Sequence, residues 1–217
     1  GQVVNPYAGS GAPILTTTGA ANTVTLANNS LLDGVVIQSA SGFAGVYGSG
    51  LATVTLSNAT FSGTGTALRL LDGGAAATAT LTNLSLSASG GGAAVDFSGA
   101  GAGSLTVTGS GLNVSHSGSG SLLTIADILV GGGNLSFGTV ASTASGAGVD
   151  LGSVAGLGTL SFGSITVAGA SGSGVALHNS SATVNLGNVT VSGAAGAGIQ
   201  LTSNSGATTI GAIDISS

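Results

Sequence analysis

The chain contains no cysteine, no methionine and no tryptophan, and its only prolines are Pro6 and Pro13. One cationic side chain, Arg69, stands against six aspartates, and charged residues make up 3% of the 217 positions, where an ordinary soluble domain carries about a quarter. Each shortage removes a class of protein. Without cysteine there is no disulfide frame, and His116 and His178 alone cannot build a structural zinc site. A single arginine cannot lay down the cationic footprint that nucleic acid or anionic lipid requires. Two prolines exclude collagen, which needs glycine at every third position and abundant proline. No apolar run approaches the roughly 18 residues of a membrane-spanning helix. Glycine-rich stretches are frequent, but none ends in the lysine of a phosphate loop. Neither membrane insertion nor a cofactor or metal is expected.

What is present is glycine, at 42 positions, and small aliphatic residues that bring the hydrophobic share to 42%. That is too apolar for a disordered chain. A short unit recurs along it: two apolar residues two apart, a two-residue polar corner, then two more apolar residues two apart. It reads Val54-Thr55-Leu56, Ser57-Asn58, Ala59 and Phe61, and returns as Ala79-Thr80-Leu81, Thr82-Asn83, Leu84 and Leu86. Later copies run through Leu160, Phe162, Ile165 and Val167, and through Val184, Leu186, Val189 and Val191. Taking Leu26, Leu56, Leu81, Val107, Phe137, Phe162, Leu186 and Ile210 as equivalent gives steps of 24 to 30 residues. A second apolar pair follows most units, as at Leu68 and Leu70, Val95 and Phe97, and Val175 and Leu177.

Three period-two strands per step, joined by small-residue loops, predict an all-β parallel β-helix of about eight or nine coils. The whole chain, 1–217, reads as one domain. Residues 1–21 are a candidate N-terminal cap or irregular first coil, and Ile213-Asp214-Ile215 reads as a strand in mid-coil. No basic segment of a signal peptide precedes the repeats.

The Asn- and Gly-cornered repeats, such as Thr53-Val54-Thr55-Leu56-Ser57-Asn58 and Gly196-Ala197-Gly198-Ile199-Gln200-Leu201, resemble the passenger regions of bacterial autotransporter and filamentous-haemagglutinin-type adhesins. The resemblance spans about Asn22 to Ser217. It implies a right-handed β-helix on the bacterial surface or in the extracellular space, with a host surface or glycan as a candidate partner. It brings no catalytic motif.

The ionisable residues give little purchase for chemistry. Asp96 and Asp150 fall in one outward row of the third strand with Thr124 between them, so they stand two rungs, or roughly 9–10 Å, apart. Arg69 falls one rung below Asp96 and is expected to pair with it. His116 and His178 read as loop residues with no carboxylate beside them in sequence. An enzyme is not expected, and a carbohydrate-active one is the least favoured reading.

Two surface rows are more ordered. Asn28, Asn58, Asn83 and Asn188 follow the first strand at the tight corner, where asparagine tolerates left-handed backbone and its amide can bond the asparagine one rung away. They are read as a structural ladder. Thr23, Thr25, Thr53, Thr55, Thr78, Thr80 and Thr106, with Ser104, would form a flat, uncharged outward face. It offers an alternative function, a module binding ice or a glycan. The leading expectation is a non-enzymatic extracellular solenoid, a fibre subunit or adhesin stalk, whose low charge permits end-to-end self-association.

Overall fold

The computed structural model describes residues 2–3, 11–40, 42–72, 76–99, 105–143 and 146–217. Pro6, Tyr7 and Ser104, on which parts of the expected cap and threonine face rest, lie outside them. Strands are the only regular elements among the described residues, all ladders are parallel, and they stack as a β-solenoid of about eight turns. No helix of these residues is long and apolar enough to cross a membrane.

In the middle turns each coil contributes one long bent strand, such as Thr53–Gly63, Ala77–Ala88 or Leu105–His116, and one four-residue strand, such as Leu68–Leu71 or Val95–Ser98. The first two of the three expected strands therefore run as one, because hydrogen bonding continues through the corner. Within Thr53–Gly63, Val54, Leu56, Ala59 and Phe61 are buried, and the alternation slips by one residue at Ser57-Asn58. That slip is the corner. The long strands form one sheet and the short ones the other, and their inward residues stack into rows that fill the solenoid. Each fully buried Leu, Val or Phe in these rows contributes roughly 1.5–3 kcal/mol.

The strand pairing corrects the expected register at two places. Leu32, not Leu26, pairs with Leu56. Leu26 instead follows Val24–Thr25, which pairs with Val46–Tyr47 in the short-strand sheet. The reason is that Leu32, Val35 and Ile37 already supply the apolar pattern on both sides of the corner Asp33-Gly34, leaving no place there for Leu26. Val107 pairs with Ala79 and Val130, while the row through Leu81 continues to Gly109, Leu135 and Leu160.

Behind the second correction lies a relocation of the corner. Below the junction the two-residue corner separates Leu56 from Ala59, Leu81 from Leu84 and Gly109 from Leu112. Above it, Leu135 and Phe137 are only two apart, and the extra residue falls between Phe137 and Val140. The ladder between Leu105–His116 and Ile128–Ser142 breaks register three times to absorb this change and the three-glycine bulge at 131–133. Phe137 therefore stands over Leu112 and under Phe162, and the two rings stack at 5.1 Å between centroids and 9° between planes.

Candidate functional site

The asparagine ladder exists in part. Asn58 and Asn83 hold φ of 49° and 51° at the same corner position on successive rungs. The Asn83 Nδ2 donates to Asn58 Oδ1 at 3.1 Å, and Asn58 Nδ2 donates to Asp33 Oδ1 at 2.9 Å. Ser57 Oγ donates to the same Asp33 oxygen at 2.6 Å. These bonds, Ser57 first and Asn58 second, stabilise the carboxylate and hold Asp33 below its ordinary pKa of 3.8. The amides thus point one way, down the axis onto an anion.

Asn28 and Asn188 do not join that ladder. Asn28 precedes the left-handed Asn29, and its Oδ1 accepts the N–H of Ala52 at 2.9 Å. At the Asn188 corner the left-handed residue is Gly187, and Asn188 Oδ1 accepts the N–H of Ala212 at 3.1 Å. Asn113 and Asn134 act in the same way on Thr139 and Thr159. In this second role the side chain supplies an acceptor to an N–H one rung above.

The threonine face is smaller than expected and differently composed. Thr53, Thr78 and Thr106 form one column, and Thr55, Thr80 and Thr108 its neighbour. Thr106 accordingly belongs beside Thr78, not beside Thr80. Thr23 and Thr25 are not on this face, since Thr25 pairs with Tyr47 in the other sheet. Leu31 lies under Thr55 and Leu129 over Thr106. The face is three rungs tall.

The short-strand sheet gathers the paired ionisable groups. Arg69, Asp96, Thr124 and Asp150 follow one another in a single column, as expected. Arg69 Nε meets Asp96 Oδ2 at 2.9 Å, and Ser98 Oγ donates to Asp96 Oδ1 at 2.6 Å. His178, expected in a loop, ends the strand Val175–His178 and its Nε2 lies 3.0 Å from Asp150 Oδ1. The two are 28 residues apart in sequence and diagonal neighbours across one rung, which only the coil register could reveal. Among the described residues no three metal-ligating side chains converge.

His116 was also expected in a loop, yet it is buried at the end of Leu105–His116. Its Nε2 lies 2.9 Å from the carbonyl oxygen of Gly92, and its Nδ1 accepts the N–H of Gly118 at 3.1 Å. This geometry requires the neutral tautomer with the proton on Nε2. The imidazole thereby pins two loops on successive coils.

His116 also marks the floor of a groove of about 820 Å³ that the sequence reading missed. The groove crosses six rungs at the end of the long strands, from Thr16 to Ala141. Gln38, Ser62, Ser87 and Ser115 succeed one another along one wall. Thr64, Ser89 and Ser117 stand on the other, and all three are exposed. The floor follows Ser39, Gly63, Ala88, His116 and Ser142, where higher rungs carry Val167 and Val191. A concavity forms because the inner row turns short and polar there. That break in the apolar row was the available signal.

Compared with protein-family models, curated proteins and solved structures, the chain matches none.

Proposed function

We propose that the chain is a structural, non-enzymatic solenoid, a stalk or fibre element of an extracellular bacterial surface of the autotransporter or filamentous-haemagglutinin kind, and that it associates end to end. The observation that carries this reading is the run of inner apolar rows from coil to coil in a chain with only one arginine and six aspartates. Leu201, Ile213 and Ile215 are 47%, 54% and 52% exposed, although they continue inner rows that are buried below. Their strands, Ile199–Thr202 and Ile213–Ser216, are paired on one side only among the described residues.

The lowest described rung is complementary. Among the described residues Ile14–Thr17 pairs only with Val36–Ser39, and Leu15 heads the row that reaches Ile213. Leu26 underlies the row of Leu201, and Val24 that of Ile199. A second copy set one rung above would continue the apolar rows and the ladder, a head-to-tail contact that propagates rather than closes. With so few charges, little repulsion opposes it.

Sedimentation velocity and negative-stain electron microscopy test the reading. Rods lengthening with concentration are expected, and Ile213→Lys with Ile215→Lys should return them to single units. A wild-type chain that stays monomeric at high concentration would overturn the self-association.

A further inference from the structure

We propose that the groove over His116 is a binding site for a neutral, linear glycan lying along the solenoid axis. At about 4.8 Å per rung, its six rungs span roughly 24 Å. Among the described residues no charged side chain lines it, so these offer no counter-charge to an ionic polymer. The titratable residue of its floor among the described residues, His116, spends both ring nitrogens on Gly92 and Gly118.

The direction of the groove decides between ligand classes. It runs across the strands, whose N–H and C=O groups are used in the ladders between coils. An extended peptide laid there could not add as a strand. It would find little more than one hydroxyl per wall and rung for its own amides, and each buried amide left unpaired costs about 1–3 kcal/mol. A sugar chain has no such need. Its hydroxyls both donate and accept, as does that of Ser87; Ser62 and Ser89, whose Oγ atoms donate to the carbonyl oxygens of Ile37 and Gly63 at 3.4 Å, can still accept, and water can bridge the remainder. The exposed Ala40 and Thr64 carry methyl groups that can meet the C–H faces of the rings. The groove shares the strand Ile14–Thr17 with the end-to-end contact, but its rungs from Gln38 to Ala141 lie above it.

The test is NMR titration of the whole chain with a neutral linear hexasaccharide, a sulfated hexasaccharide and an uncharged hexapeptide. The neutral sugar should shift amides in 38–40, 62–64, 87–89 and 115–117, and bind more tightly than its disaccharide. Ser87→Trp should weaken it at least about tenfold, while Leu157→Trp, at an exposed position outside the groove, leaves it unchanged. The paired variant Thr64→Val, Ser89→Ala removes wall hydroxyls while keeping the shape, and should weaken binding even if the tryptophan variant misfolds. Absence of shifts at millimolar neutral sugar, shifts outside the groove, indifference to the groove substitutions, or tighter binding of the sulfated sugar or the peptide would each overturn the proposal.

Discussion

In the lower turns the corner falls after Leu56 and Leu81, and an asparagine in left-handed conformation turns it; in the upper turns it falls after Phe137, Phe162 and Leu186, and at Gly187 a glycine holds that conformation. Below, amides donate to one another and finally to Asp33. Above, asparagine side chains accept backbone N–H groups from the next rung, as Asn188 does from Ala212. The inner rows keep their stacking through both halves, although one passes through Gly109 and another is small or polar from Ser39 to Ser142. Corner chemistry and row continuity are therefore separable: the core fixes which rungs stack, and each half solves its own turn.

The largest effect should come from the row that bridges the halves. Phe137→Ala removes the ring stacked on Phe162 and leaves a cavity over Leu112, a loss of about 3–5 kcal/mol in denaturant unfolding. Hydrogen exchange should then open the strands of 160–191 before those of 54–86. Uniform opening would show that the halves do not differ in this respect.

Gly111 comes next. Its φ is +70°, and a Cβ would lie 2.5 Å from Asn83 Oδ1, where the amide ladder meets the junction. Gly111→Ala should cost more than about 1 kcal/mol. Gly132→Ala, in the bulge with open space around it, should stay within about 0.5 kcal/mol. Asn113→Ala, which strands the Thr139 N–H at the relocated corner, should fall between them at about 0.5–1.5 kcal/mol.

The smallest effect concerns pH and the lower half alone. Asp33 is held below 3.8 in the folded chain by Ser57 and Asn58, so its contribution is present above that value. It is lost as pH falls through the lower, folded-state value. Melting temperatures followed from roughly pH 5 to pH 2 should show a small acid-side decline that Asp33→Asn abolishes. An unchanged decline in the variant would remove Asp33 as its source.

The solenoid was legible because period-two apolar residues and two-residue corners recur at nearly constant steps. Most corners were legible too, as at Ser57-Asn58 and Gly187-Asn188, whereas those expected after Leu26 and Val107 lie after Leu32 and Gly109. What the pattern could not carry was pairing. Leu56 and Phe162 both precede a corner, yet they occupy different rows, because the extra residue passes from one side of Leu112 to the other side of Phe137. The same blindness placed Thr23 and Thr25 on the threonine face and kept His178 away from Asp150. Contacts one rung apart are about 25 residues apart in sequence, and loop lengths vary by several residues. The groove escaped for another reason. Its floor is where apolar periodicity stops, and a search for apolar periodicity passes over it.

The relocation of the corner is tested most directly by NOEs from the Phe137 ring, in a chain small enough for selective methyl labelling. Contacts to the Leu112 methyls and to the Phe162 ring are expected, with Val107 seen instead against Val130. NOEs from Phe137 to Val107, without those to Leu112, would mean that the corners stack in line and that the two halves are one uniform repeat.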